Sequence, residues 1–436
     1  MRVARGHGSG LGLENPAPVY IRDVLCASTN GVLMAAVDLE ERLGAIAEVV
    51  ERLADGAAVR DREHILPTEQ LAELLSAGVG GLRVPVEFGG AGASIPVLAQ
   101  VLIDIAAGDS NLAQIFRGHL GLTEILRLAP QSAAREGLLR AAAEGAFFGP
   151  AGAELNTSNL TALSTTLERV GAQHVLSGRK FYTTGSLYAD WLNVLVVREG
   201  EFVSALVPRH SAGITIVDDW DGFGQRLTAS GTAEFDNVPV DPEYLVYHRN
   251  PLANDYMEAF YQFVHSSAQA GIARAIADDA AALVRGRGRS YPLASTPEPA
   301  NDPQVLQIVG EVSAKAYSAR ANVLELARTL EEFSLDPGQD RVQRALLASA
   351  ATQVANTELV GAAAWRLFDA GSATAVRSNL ALDRHWRNAR TISSHNPAVY
   401  KAALVGAHAV NGTAPRSFLN SFRERAEAEA ADNARR

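Results

Sequence analysis

The sequence predicts an α+β protein, mostly α, in which one β-rich segment lies between two helical ones. Three observations carry that reading. Apolar residues recur at helical spacing from about Leu33 to Glu144, and again from about Pro251 onward. Between Phe147 and Val246 the period shortens to that of alternating strands, with glycines and polar turns at short intervals. The resulting order is helices, strands, helices, without βαβ alternation and without a glycine-rich dinucleotide fingerprint, which argues against a Rossmann-type oxidoreductase.

Taken in order, residues 1–33 show no clear periodicity and read as a flexible arm. The N-terminal helical domain follows over 34–146. Its first helix runs from about Leu33 to Ala58 on Leu33, Val37, Leu43, Ile46 and Val50. Pro67-Thr68-Glu69 opens a second, from Glu69 to Ala77, and Gly78 is a natural C-cap. Pro85 and Gly89-Gly90 turn the chain until Ser94 caps a helix from Ile95 to Ala107. That helix is apolar nearly all round and is expected to be buried. Another, after Asp109-Ser110, carries Phe116, Arg117 and His119, and one more runs from Ser132 to Glu144. The middle β domain, 147–248, holds strands at Thr161–Val170, His174–Leu176, Asn193–Arg198, Phe202–Val207, Gly213–Val217 and Thr232–Asp236. Such short, closely punctuated strands suggest a barrel or small sandwich. The C-terminal helical domain, 249–436, carries helices at Tyr256–Arg285, Pro303–Phe333, Asp340–Ala370 and Ala373–Arg387, alanine-rich and suited to a bundle.

The 436 residues are enough for two or three domains, and 47% hydrophobic with 20% charged residues is an ordinary globular mix. A net charge of −10 argues against nucleic acid, whose phosphates need a basic surface. Cys26 is the only cysteine, so neither an intramolecular disulfide nor a cysteine metal cluster can form. No apolar run is long enough to span a bilayer and no secretory signal is visible, so a cytoplasmic protein is expected. Histidines and carboxylates show no metal-ligand spacing, and no GxSxG elbow supports a hydrolase.

Chemistry concentrates in GRKFYTTGSLYADW, Gly178–Trp191, and in DDWDGFGQRLTASGTAEFD, Asp218–Asp236. Thr183, Thr184 and Ser186 put three hydroxyls around Gly185, and hydroxyls with backbone N–H groups at a glycine turn suit the edge of a flat heterocycle. A hairpin with a polar turn would look the same.

Together with LRVPVEFGGAGAS and FDNVPV, these phrases resemble the acyl-CoA dehydrogenase superfamily across nearly the whole chain after the first thirty residues. The resemblance implies an N-terminal helical domain, a middle β domain and a C-terminal four-helix bundle, with flavin between the last two and a homotetramer as the assembly. Dehydrogenases of that superfamily use a glutamate base. The matching segment here, RNARTISSHNPAVYK, puts Asn396 about there, and an amide has no usable basicity. The glycine-rich turn that holds the adenine half of FAD is reduced to RLFDAGSATAV, with Gly371 alone remaining. FMN is therefore expected ahead of FAD.

HWRNARTISSHNP and DDWDGFGQRLTASG are similar to the two-component flavin monooxygenases of this superfamily, of the dibenzothiophene monooxygenase and sulfur-acquisition type. That likeness implies reduced FMN from a separate flavin reductase, molecular oxygen, a C4a-hydroperoxyflavin, and oxygen transfer to sulfur or nitrogen of an apolar small molecule. His395, His119 and Thr184 become the candidate catalytic residues. Asn156, Thr183, Thr184, Gly185, Trp220, Arg289, Ser372 and Arg377 become candidate cofactor contacts. Of these, Trp220 suits a face of the flavin ring and Arg289 its phosphate, with Ser372 and Arg377 completing the phosphate site from the same or a neighbouring subunit. Each has a plainer reading: a helix-end His395, a structural His119, a core Trp220, and solvated arginines. Two other functions stay open, an FAD-dependent acyl-CoA dehydrogenase or oxidase with a displaced base, and a flavin-fold binding protein without catalysis.

Overall fold

A computed structural model describes residues 33–155, 163–171 and 173–425. The expected arm and Cys26 lie almost wholly outside the described residues, and Asn156 does too. The N-terminal helices are α1 (Leu33–Leu53), α2 (Ala57–Glu63), α3 (Thr68–Ser76), α4 (Ile95–Gly108), α5 (Ser110–Leu128) and α6 (Ala133–Ala143). The single helix expected over Leu33–Ala58 breaks at Gly56, whose φ of 73° is the left-handed region that glycine enters at no steric cost. Ser94 caps α4 by accepting from Val97 N–H, and α4 is buried from Val97 to Ala106 on every face. It packs against the C-terminal helices so closely that a Cβ on Gly271 would stand 2.5 Å from the Ile103 carbonyl.

Eight strands follow, in two four-stranded sheets ordered β1-β4-β5-β8 and β2-β3-β7-β6. They are β1 (Phe148–Ala151), β2 (Thr166–Val170), β3 (Gln173–Lys180), β4 (Trp191–Arg198), β5 (Glu201–Pro208), β6 (Ile214–Val217), β7 (Thr232–Val240) and β8 (Leu245–Tyr247). Among the described residues five of the six strand pairs are antiparallel, whereas β1 pairs parallel to β4 with Phe148 opposite Trp191. The short strands β1 and β8 were not separable by alternation in the sequence, because β1 is Phe-Gly-Pro-Ala and β8 has only three residues.

The chain then enters α7 (Pro251–Arg285), α8 (Pro303–Leu335) and α9 (Gln339–Gly371), three long helices packed on one another. The fourth member is split into α10 (Asp383–Ser393) and α11 (Ala398–Asn411). The helix expected over Ala373–Arg387 is not formed. Short 3-10 turns at Ser372–Thr374 and Ser378–Leu380 occupy that stretch, with Ser372 and Ala381 at φ 50° and 46°. Its Ser, Thr and Asn side chains offer the backbone local alternatives to helix, which outweighs the alanines. Among the described residues no helix is long and apolar enough to cross a membrane.

Candidate active site

A cavity of about 690 Å³ lies where the middle sheets meet α5, α7 and the end of α10. That is within the range of small-molecule and cofactor pockets. Its β-domain wall is the loop Trp220–Ser230 and the turn after β3. The loop is tied down on both sides. Gln225 N–H donates to Asn388 Oδ1 at 2.7 Å, and its side-chain amide to Ser110 Oγ at 3.0 Å. Leu227 N–H donates to Asn111 Oδ1, and Arg387 donates to the Phe223 carbonyl while pairing with buried Asp61 at 2.5 Å. A Cβ on Gly224 would stand 2.1 Å from the Arg387 carbonyl, so only glycine lets the loop lie this close to α10. Tyr182, Gln225 and Ala229 all hold positive φ here, at 57°, 50° and 47°. Strained non-glycine backbone of this kind persists only where surrounding contacts over-determine it.

Three hydroxyls on this wall form a chain whose direction can be derived. Thr228 Oγ1 lies 2.8 Å from the Gln225 carbonyl, which can only accept, so Thr228 donates there. Ser230 Oγ, 2.7 Å from Thr228 Oγ1, then donates to Thr228, and Thr184 Oγ1, 2.7 Å from Ser230 Oγ, donates to Ser230. Thr184, with its single proton committed, offers the cavity lone pairs: it is poised to accept from an N–H. Beside it, Trp220 Nε1–H donates to the Gln225 carbonyl at 3.1 Å, and its ring meets Tyr182 edge-on at 6.0 Å. A Cβ on Gly222 would lie 2.0 Å from the Trp220 ring.

The helical wall carries His395, just past α10, and Arg117 on α5. His395 is open to the cavity. The protein enclosing that space and the Arg117 cation both lower its pKa, so the imidazole is neutral at neutral pH. Its ring lies 4.4 Å from that of His265 on α7, a fully buried histidine with neither ring nitrogen partnered among the described residues. Arg117 donates from Nε to the Tyr261 carbonyl at 3.3 Å and lies over the Tyr261 ring, 4.6 Å from its centroid. Burial lowers its pKa to about 10, and it stays charged at neutral pH. No Asp or Glu lines the cavity among the described residues. Gln114, Asn193 and Gln225, all on its wall, have side-chain oxygens without partners among the described residues. Orphaned amides, a hydroxyl acceptor and an indole face together fit a flavin ring, whose edge alternates N–H and carbonyl groups.

Three family models match in the order of the fold: the acyl-CoA dehydrogenase N-terminal domain over residues 42–146, the middle domain over 153–238 and the C-terminal domain over 263–399. The chain belongs to the acyl-CoA dehydrogenase superfamily. Within it the chain is similar to a dibenzothiophene monooxygenase of Rhodococcus qingshengii, 28% identical over 387 residues that cover 84% of this chain and 92% of the relative. The FMN-bound structure of TdsC from a Paenibacillus species superposes with a TM-score of 0.82 at 26% identity, covering 87% of this chain and 99% of the other. A methanesulfinate monooxygenase, MsuC from Pseudomonas fluorescens, gives 0.81 at 27% identity, with 86% and 98% covered.

Among the residues singled out from sequence, this superfamily fold brings Thr184, Trp220 and His395 to one cavity. Thr183 and Gly185 lie behind it. Thr183 Oγ1 donates to the Gly231 carbonyl at 2.8 Å, and Gly185 (φ 79°) donates its N–H to the Thr228 carbonyl, so both shape the turn. His119 does not reach the cavity, which corrects its catalytic assignment. Phe148 N–H donates to its Nδ1 at 3.2 Å, which leaves the proton on Nε2, 2.9 Å from the Gly80 carbonyl. With both nitrogens used and the ring stacked on Phe147 at 5.1 Å, it has no capacity for proton transfer. Asn396 donates to Gln262 Oε1 on α7 and is no base.

Arg289 and Ser372 line a second cavity, which also includes Ala282 of α7, and Arg377 is exposed beyond it. Tyr261 marks the first cavity on the same helix, about 30 Å away at the helical rise of about 1.5 Å per residue. One FMN does not reach across that distance, so within one chain these residues do not join the ring site. Arg117 and His265 were passed over in the sequence. The available signal was polar residues inside otherwise apolar helices, an arginine in QIFRGHLGL and a histidine in FVHSSAQAG.

Proposed function

We propose that this chain is an FMN-dependent monooxygenase that adds one atom of dioxygen to sulfur or nitrogen of a small molecule. The observation that carries this is a cavity with a hydroxyl acceptor, an indole wall and a neutral imidazole, but no carboxylate among its described residues. Removing a proton from carbon needs a base held near the substrate, and an amide at Asn396 with a depressed-pKa His395 supplies a poor one. The acyl-CoA dehydrogenase reading loses support on that ground. The non-catalytic reading loses it because orphaned amides and strained backbone converge on one space.

Reduced FMN supplies the electrons that activate dioxygen, one oxygen atom going to the substrate and the other leaving as water. Trp220 and Tyr182 pack against a planar ring, and Thr184, its own proton held by Ser230, accepts from a ring N–H. His395, facing the cavity, would exchange a proton with the oxygen chemistry beside it. The apolar side chains Ile125, Met257 and Ile392 give a bound substrate a surface that excludes water from the reacting atoms, which limits loss of reducing power as hydrogen peroxide.

In this reading a separate reductase delivers the reduced FMN in the cytoplasm, since the described residues hold no nicotinamide fingerprint. The enzyme works as a homotetramer in which Arg289, Ser372 and Arg377 of one subunit hold the phosphate of a neighbour's FMN. The distance between the two cavities in one chain supports that arrangement, and sedimentation velocity tests it, a stable monomer sinking it.

The test of the activity is oxygen isotope transfer. With chemically reduced FMN and labelled dioxygen, the wild type is expected to place one labelled atom in a thioether or amine product. His395→Ala is expected to keep FMN binding while most of the oxygen consumed appears as hydrogen peroxide. Unchanged product yield in that variant would remove the role given to His395, and absence of label in any product would sink the monooxygenase reading.

A further inference from the structure

Arg117 is the one charged side chain at neutral pH among the described residues that line the cavity. Other deeply placed arginines here have an acid: Arg60 pairs with Asp109 at 3.1 Å, Arg83 with Glu124 at 2.7 Å and Arg387 with Asp61 at 2.5 Å. Arg117 has only the Tyr261 carbonyl and ring. Its terminal nitrogens, the two that form a fork for an oxyanion, meet no acceptor among the described residues.

We infer that Arg117 holds an anionic group of the substrate, so that, granting the monooxygenase reading of this cavity, the enzyme acts on small sulfur or nitrogen compounds bearing a carboxylate or sulfinate-like charge. This narrows the apolar substrate class expected from the sequence. Ile125, Met257, Ile392 and Leu419 take the carbon skeleton, and the guanidinium takes the charge. A neutral substrate in the same place would strip water from a cation and return no partner, which is how a buried polar site rejects the wrong ligand.

The competing source of an anion is the phosphate of FMN. Arg117 is held on the carbonyl and ring of Tyr261, one turn before His265 on α7, and the His265 ring lies 4.4 Å from that of His395, so the guanidinium stands at the imidazole end of the cavity. The phosphate lies at the far end of the ribityl chain from the ring.

The experiment titrates the protein loaded with oxidised FMN against (methylthio)acetate and its neutral amide, by calorimetry. The wild type is expected to bind the anion at least about tenfold more tightly than the amide. Arg117→Gln is expected to abolish that preference, and Arg117→Lys to keep part of it as a point charge. Equal binding of acid and amide by the wild type, or a preference that survives Arg117→Gln, overturns the inference. So does a fall in FMN affinity with unchanged riboflavin affinity in Arg117→Gln, which would assign the guanidinium to the cofactor. A persistent, Arg117-dependent acid preference in an enzyme that transfers no labelled oxygen would support the anion site while sinking the monooxygenase reading.

Discussion

Helix α5 carries two opposite solutions to a buried cation. Toward its C-terminal end Glu124 receives Arg83 at 2.7 Å, Arg127 at 2.6 Å and the Tyr256 hydroxyl at 2.9 Å, in a cluster where Glu124 is fully buried. Two turns earlier Arg117 faces the cavity with no acid near it. The first arrangement gives both arginines a carboxylate and joins the N-terminal domain to α7. The second leaves a charge unsatisfied where a ligand can reach it. Structure closes one set of valences and function leaves the other open.

The largest expected effect comes from breaking the closed set. Burial works against an ionised Glu124, but Arg83 and Arg127 outweigh it and its pKa is lowered, so it is a carboxylate at neutral pH. Glu124→Gln leaves Arg83, 3% exposed, as a buried cation whose nearest remaining acid is Glu331 at 3.9 Å. A loss of about 3–5 kcal/mol is expected in urea unfolding, partly recovered when Arg83→Met is added. A loss below 1 kcal/mol would mean the cluster is not what holds this corner.

A smaller effect is expected at His119, the residue the fold took away from the cavity. His119→Phe keeps a ring against Phe147 but leaves Phe148 N–H and the Gly80 carbonyl unpaired, at a cost of about 1–3 kcal/mol. It also changes the acid limb of stability. Burial lowers the folded pKa of His119 to about 4 from an ordinary 6.5. Between those values the unfolded chain binds a proton that the folded one does not, so stability is full above pH ~6.5 and falls as the pH drops toward ~4. The share of His119 is roughly 3 kcal/mol at about 1.4 per unit, and His119→Phe should flatten the slope by that share. An unchanged slope would place the burden on other histidines such as half-buried His248, whose pKa also falls to about 4.

His119 and Arg117 also show why the site was only partly legible in the sequence. The order of helices and strands could be read because a period of 3.6 and a period of 2 differ over a dozen residues, and α4 was legible because it is apolar nearly all round. Which side of a helix faces a pocket is another matter. Residues two apart on a helix point to roughly opposite sides, so Arg117 and His119 do not share one cavity. Nothing local says which of them wins. That is decided by Gly80 and Phe148, far away in the chain, which take both nitrogens of His119. Thr184 and Trp220 were easier, because glycine-punctuated turns at a sheet edge constrain where their side chains go. Arg289 and Ser372 carried the right chemistry for a phosphate, but sequence has no scale for the distance along α7.

The smallest expected effect is on the stability of Arg117→Met, and it is the most discriminating. The substitution strands no carboxylate and relieves the desolvation of a cation. It gives up one hydrogen bond to the Tyr261 carbonyl and contact with the ring, about 1–2 kcal/mol together. These terms offset, and melting without ligand should differ from the wild type by less than about 1 kcal/mol. The difference should open only when anion is added. A ligand that binds the folded state alone stabilises it by about 2.7 kcal/mol at a hundred times its Kd. Saturating (methylthio)acetate should therefore raise the melting temperature of the wild type and leave that of Arg117→Met where it was. A large loss of stability without ligand would make Arg117 a member of the closed set, like Arg83, and the contrast within α5 would collapse.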